Sequence, residues 1–518
     1  MLIGLLFLFN ILAVGGAFFL RWRGWRTAHI WMVLVSISLI EWLMLILIRT
    51  ENITALVYSD WFRIGDLPVG LQYQVTKGNW PIAFSILTTL PALLLTGIAR
   101  LNVRKDLISW SCGVIFTGIS FLTVIASDLW AVVIFWTVFD LLEIFYHLVI
   151  VPTADQISLQ RSLILRFFGS LLLIYNTALL SRSGINPLAA NISGEQSVLF
   201  VLAAILHSGV LPFSISVNID QKSTTEKIIH RLVKLLLLTT SFSILSFFNT
   251  PVIQFPVGLG LLVLLIFLLI QLGIQLNSGK IEEYNEKWQI FIAFFIVFLF
   301  YNLGNLGFWI ASFFISSIFL ILYTHRSKSS IVFPLITLLL ISGLPYTLIA
   351  FGVRGFAETN NLILLIFSVI FLSLYLGGFA RTIKQERDGI EKMEPLFQIV
   401  YLFGLLVIVL STGLIAFKYF GPPQDELSLW WLSVFTLLLT GMLHILSTKK
   451  NIRFPFGLTM DRSALTTKIL VLDWLFTLGD AAAKRIRYLA VGFSSLLEGA
   501  GGLLWAIVLL VLILSILQ

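Results

Sequence analysis

Asp140, Glu143 and His147 recur at i, i+3 and i+7 inside the apolar run 129–151, so two carboxyls and an imidazole share one face of a helix. Such a stripe passes protons by short hops, especially with water between the groups. Ionisable side chains inside apolar spans are costly and mark an ion or proton path. The bland alternative is a structural patch paired with basic residues of a neighbouring helix. Three such groups on one stripe favour function.

A second constellation lies at 199–234, LFVLAAILHSGVLPFSISVNIDQKSTTEKIIHRLVK. An apolar helix carries His207 in mid-span and meets Pro212, which predicts a break or an end near 211. Polar, broken backbone at membrane depth is tolerated only where protein buries it or water reaches it. The next helix opens with His230, Arg231 and Lys234. A lone buried histidine is as readily a packing residue as a ligand. Lys234 is the stronger signal, with snorkelling to the interface as its alternative. A further break, Gly343-Leu344-Pro345, precedes Arg354. Arginine does not deprotonate at ordinary pH, so Arg354 reads as an electrostatic gate or carboxylate partner, or as an interfacial residue, and not as a proton carrier. Paired Gly/Pro-interrupted segments in two parts of a chain point to an inverted-repeat transporter.

The elements that must position these groups are membrane helices. The 518 residues are 58% hydrophobic and 12% charged, with a mean hydropathy of +0.99. That composition excludes a soluble fold and predicts an all-α polytopic membrane protein. The formal net charge of +8 reflects basic loops on one side of a bilayer, not nucleic-acid binding. Cys112 is the single cysteine, which excludes an internal disulfide, a thiolate zinc site and an iron–sulfur cluster. No motif for a quinone, flavin, haem or nucleotide is present, so neither a cofactor nor a metal is expected.

Apolar runs of span length fall at 2–20, 28–48, 80–99, 107–127, 129–151, 161–181, 197–212, 228–248, 255–276, 288–303, 305–324, 331–352, 360–380, 396–418, 428–447 and 500–517, about sixteen in all. The first lacks a basic leader and reads as a retained span. Basic loops at 21–27, 100–106, 280–287, 325–328, 381–392 and 449–453 fall on one side, which places both termini outside. Residues 58–79 alternate polar and apolar around Gly65-Asp66 and predict an outer-face β-hairpin. Residues 459–498 predict an amphipathic helix lying along the membrane or against neighbouring subunits, followed by a last span.

With these features in place the chain resembles the antiporter-like, proton-translocating membrane subunits of respiratory complex I and of multi-subunit cation/proton antiporters. It looks like the larger type, with two extra spans and a lateral helix. Ser127-Asp128-Leu129 and Trp136 match the family's fifth span, with Thr137 where its glutamate stands and Asp140 one turn on. His207 stands where the family has a lysine five residues before a proline, and Lys234 looks like its eighth-span lysine. Gly343-Leu344-Pro345, Phe351 and Arg354 look like the run that ends in a lysine in the second half. The resemblance implies two inverted five-helix repeats with broken helices. It divides the chain into N-terminal spans (1–106), a first repeat (107–250), a second repeat (251–383), additional spans (384–458), the lateral helix (459–498) and a final helix (499–518).

Sequence and resemblance together predict a proton-conducting subunit of a larger energy-coupling complex in a prokaryotic-type inner membrane. Protons would move among Asp140, Glu143, His147, His207, His230 and Lys234, with Arg354 in the second half. Implied partners are other membrane subunits and the lipid bilayer, with a redox or zinc-enzyme subunit as the coupled machine. Two alternatives stand beside it: a non-conducting scaffold that kept the fold, and a stand-alone Na⁺/H⁺ or solute transporter.

Overall fold

The chain crosses and recrosses an apolar medium, and its helices carry the sequence pattern that this requires. The computed structural model describes residues 2–47, 56–64, 67–98, 106–147, 156–182, 194–210, 224–248, 265–266, 281–302, 306–326, 330–344, 347–350, 362–383, 388–389, 393–419, 427–448, 481, 484–485 and 488. Seven helices among them are long and apolar enough to cross a membrane by length and composition. This is an all-α polytopic membrane protein. The chain divides into two units, residues 1–211 with 215–452, and residues 212–214 with 453–518. In the second unit the described residues are 481, 484, 485 and 488, all helical. The expected lateral helix (459–498) and last span, the span at 255–276 apart from residues 265–266, and Pro212, Pro345 and Arg354 lie outside the described residues.

In the first unit, helices α1 (Leu2–Trp22) and α2 (Thr27–Leu47) lead to a hairpin of β1 (Leu56–Ile64) and β2 (Leu67–Tyr73). The strands pair antiparallel, with an irregularity between Tyr58 and Phe62. Then come α3 (Trp80–Gly97), α4 (Asp106–Ile125), α5 (Leu129–Phe145), α6 (Gln156–Arg182), α7 (Gly194–His207) and α8 (Thr224–Ser243) with a 3₁₀ turn at Ile244–Phe247. The later part holds α9 (Ile281–Asn302), α10 (Leu306–Leu322), α11 (Val332–Ile341), α12 (Leu362–Ile383), α13 (Pro395–Tyr419) and α14 (Leu427–Thr448). The charged stretch 280–287, expected as a loop, belongs largely to the first turns of α9. Two short strands, β3 (His325–Arg326) and β4 (Asp388–Gly389), pair in parallel and bring two of the basic loops to one end of the bundle.

Helix α3 is the axis of the unit, for every residue from Trp80 to Gly97 is buried. Trp42 Nε1 donates to Thr88 Oγ1 (3.1 Å) and Ser411 Oγ (3.0 Å), which knots α2, α3 and α13 together. Gly404 lets α13 approach, since a Cβ there would lie 2.9 Å from both Leu95 Cβ and Thr96 Cγ2. Buried hydroxyls face inward to their own helices: Ser85, Thr88, Thr117, Ser120 and Thr240 all donate to the carbonyl four residues back. In an apolar medium that bond satisfies a hydroxyl without a partner helix.

The hairpin anchors the start of α5. Tyr73 bridges Ala126, Ser127 N donates to Gln72 O at 2.7 Å, and Asn79 Nδ2 reaches Val124 O at 3.2 Å. Asp128, in extended conformation, caps α5 by accepting from Trp130 N. Such a cap contributes about 1 kcal/mol. It fixes where the helix begins, and so which face Asp140 presents.

Candidate functional site

Four helices, α5 to α8, bring their polar residues together in one buried cluster. Trp136, Asp140, Glu143 and His147 follow each other at i, i+4, i+7 and i+11 on α5 and the turn that ends it. His230, Lys234 and Ser241 have the same spacing, i, i+4 and i+11, on α8. Each set therefore forms a single stripe along its helix.

Between them stands a residue that the sequence reading passed over. Arg166 of α6 is 3% exposed. Its guanidinium grips Glu143 with both ends, Nη1 to Oε2 at 2.5 Å and Nη2 to Oε1 at 3.0 Å. The same Nη1 reaches Asp140 Oδ1 at 3.2 Å. The expected stripe thus has a built-in counter-cation. The signal was in the sequence: Arg161 and Arg166 are the charged residues of the apolar run 161–181.

His207, fully buried, lies flat against Trp136 with ring centroids 3.8 Å apart and 5° between planes. Its Nδ1 is 2.7 Å from Ser241 Oγ. Ser241 already donates its hydroxyl hydrogen to the Leu237 carbonyl at 2.7 Å, so it accepts from the ring. This network assigns the hydrogen to Nδ1 and leaves Nε2 as the exchangeable position. Nε2 faces Asp140 Oδ2 at 3.5 Å. At the other end of the stripe His147 Nε2 stands 3.7 Å from Glu143 Oε1. The His147 ring meets His230 edge-on at 5.3 Å.

Helix α7 ends at His207, earlier than the expected break near 211. The physical reason is Gly209, whose φ of +67° turns the chain out of the helix before the proline is reached. Helices α6 and α7 cross in contact at Gly169. A Cβ there would lie 2.8 Å from His207 N and 2.9 Å from the Ala203 carbonyl. That close approach sets the depth of the imidazole beside Arg166.

The structure brings Asp140, Glu143, His147, His207 and His230 into one chain of neighbours. Lys234 stands one turn from His230 on the α8 stripe, half-buried. Thr137, at the position of the family's glutamate, is exposed and donates to its own helix at Val133 O (2.9 Å). Gly343 is remote from the cluster. With φ +81° it ends the α11 segment, and its carbonyl accepts from Ser433 Oγ at 2.6 Å. Glu41 on α2 is a further buried carboxyl, with Oε1 lacking a hydrogen-bond partner, on an element apart from α5–α8.

The later helices pack differently. Between α9, α10 and α12, Phe295 stacks on Phe371 at 3.8 Å and Trp288 on Tyr375 at 4.5 Å. Phe291, Trp309 and Phe313 close around them. Tyr375 OH pairs with Ser316 Oγ, a neutral contact.

The electrostatics of the cluster follow from a count. Asp140 and Glu143 set two carboxylates against the one Arg166 guanidinium. Two carboxylate–imidazole contacts flank it, Asp140 with His207 and Glu143 with His147.

No family model matches this chain, and no curated protein matches it. Solved structures do. A chain in the Mrp complex from Dietzia sp. DQ12-45-1b is similar over 100% of this chain and 62% of its own length, at TM-score 0.65 and 15% identity. This chain therefore spans under two thirds of that one. A chain of the membrane-bound sulfane sulfur reductase (MBS), an archaeal respiratory membrane complex, is similar over 98% of this chain and 99% of its own, at TM-score 0.55 and 13% identity. The chain shares its fold with a chain of each of these two complexes.

Proposed function

We propose that the chain is a proton-conducting, antiporter-like subunit of a larger energy-coupling complex. The observation that carries this reading is the two-dock cluster: an imidazole at each end, two carboxyls between, and one guanidinium shared by both. A proton arriving through His230 and Lys234 reaches His147, then Glu143. Its transfer to Asp140 and on to His207 Nε2 is balanced by the guanidinium. The cation sits on whichever carboxylate is unprotonated, so no step leaves a bare buried charge. The geometry in hand, bidentate on Glu143 and single on Asp140, fits the proton at the His207 dock. A positive imidazole there also lies on the indole face of Trp136, an attractive arrangement. The gaps of 3.5 and 3.7 Å are closed by a small tightening or a bridging water.

Around this core the remaining reading is of two inverted repeats, whose breaks fall at Gly209 and Gly343. Both termini lie on the outer side of an inner membrane, and sister membrane subunits stand alongside with a redox or zinc enzyme as the coupled machine. A second reading, a non-conducting scaffold, is favoured by two observations: Arg166 of the neighbouring helix pairs with Asp140 and Glu143 as a structural patch would, and aromatic rings pack α9, α10 and α12 where a second set of ionisable groups would be needed.

Asp140→Asn separates the two. The chain, purified with whatever subunits accompany it and reconstituted in vesicles, is driven by an imposed membrane potential while internal pH is followed. Conduction predicts a loss of about a hundredfold in proton flux, the scale of removing one positioned proton-transfer group, with assembly unchanged. Equal flux in wild type and variant would leave the scaffold reading standing.

A further inference from the structure

We infer that Arg166 sets the ion specificity of this site: it is a fixed internal cation occupying the seat that Na⁺ would need, so the cluster exchanges protons and excludes alkali cations. The inference deepens the conduction reading and rests on it for its effect on flux. A hard cation binds through oxygen atoms, several at once. All four carboxylate oxygens here already face nitrogen. Glu143 Oε1 and Oε2 and Asp140 Oδ1 accept from the Arg166 guanidinium, and Asp140 Oδ2 faces His207 Nε2. Ser241 Oγ, a neutral oxygen on α8, is held between His207 Nδ1 and the Leu237 carbonyl. Among the described residues no group of three or more His, Cys, Asp or Glu side chains is arranged to hold a metal ion.

A Na⁺ ion could enter only by displacing the guanidinium, which is held by three charge-assisted hydrogen bonds. A proton needs no such seat. It adds to a lone pair at Nε2 of either histidine, beside the carboxylates and without moving them apart. Removing the guanidinium inverts the preference, because it releases three oxygens on two neighbouring carboxylates and leaves both negative charges.

The test is equilibrium binding of ²²Na⁺ to the purified protein, alongside proton flux in sodium and in choline media. Wild type is expected to show no saturable Na⁺ binding and equal flux in both media. Arg166→Gln is expected to acquire saturable Na⁺ binding that the added Glu143→Gln change removes. Arg166→Lys, which keeps the charge if the glutamine variant fails to assemble, is expected to exclude Na⁺ like wild type. Saturable Na⁺ binding by wild type that Glu143→Gln abolishes overturns the inference, as does a folded Arg166→Gln protein that binds none. Because binding is read without transport, an absence of flux in both media counts against conduction alone and leaves the binding result to decide specificity.

Discussion

At the scale of single residues the cluster is held by compensation, and its energetics are asymmetric. Arg166, Asp140 and Glu143 are each poorly solvated, so removing the shared guanidinium strands both carboxylates. Breaking a buried ion pair costs about 3–5 kcal/mol, whereas replacing all its members by apolar side chains of similar volume is near neutral or stabilising. Arg166→Met is therefore expected to lower stability by about 3–5 kcal/mol. The triple variant Arg166→Met, Asp140→Leu, Glu143→Met is expected to return to wild-type stability or exceed it, while conducting nothing. Thermal unfolding of the detergent-solubilised protein decides this. A triple variant as unstable as the single one would mean that the ion pairs hold the helices together on their own account. The stripe Asp140, Glu143, His147 was legible because helical periodicity fixes it within one segment. Arg166 was not, although it stands in plain view of the sequence. Which carboxylate it meets depends on the rotation of α6 about its axis, a long-range property that no local spacing encodes.

Among the elements, the crossing of α6 and α7 positions His207 against Trp136 and Asp140. Gly169 has no room for a side chain, since a Cβ would be within 2.9 Å of two backbone atoms of α7. Backbone cannot yield as a side-chain tip does, so Gly169→Ala must push the helices apart, at about 1–3 kcal/mol for overpacking. The displaced His207 leaves both Trp136 and Asp140. The expected outcome is a fall in proton flux together with a change in Trp136 emission, isolated by difference from a Trp136→Phe background. Gly413→Ala on α13 is the control, for nothing lies within 4 Å of its added Cβ. It should change neither signal, and similar losses in both variants would refute the positional argument. Seven of the described helices have the length and composition that a bilayer imposes, and helices over most of the apolar runs were readable from the sequence. The end of α7 was not: Pro212 drew attention, while the chain leaves the helix at Gly209 through a positive φ that many glycines never adopt. The charged stretch 280–287 likewise reads as a loop by charge, yet α9 begins at Ile281.

At the scale of the molecule, the described residues of the first unit are filled differently in its earlier and later helices. The α5–α8 set encloses carboxyls, imidazoles and a guanidinium. The α9, α10 and α12 set encloses stacked rings, with Phe295 on Phe371 and Trp288 on Tyr375. A proton wire needs groups that bind and release protons or order water. Close-packed aromatic faces do neither and exclude water from the space between them. The resemblance implied a second route ending near Arg354, which is outside the described residues. Under the proposed conduction, the described packing leaves the α5–α8 set as the proton route. Tyr375 is the discriminating residue, because its hydroxyl and that of Ser316 form a polar contact inside this aromatic packing. Tyr375→Phe removes that group while conserving the ring and its stacking on Trp288. If conduction uses the α5–α8 cluster, flux is expected to stay within about twofold of wild type, since the change removes one neutral hydrogen bond of about 1 kcal/mol and no charged group. Stability should fall by a similar amount, measurable in the same unfolding assay. A loss of flux comparable to that of Asp140→Asn, in a protein that remains assembled, would place the hydroxyl pair on the proton route and require the later helices to conduct.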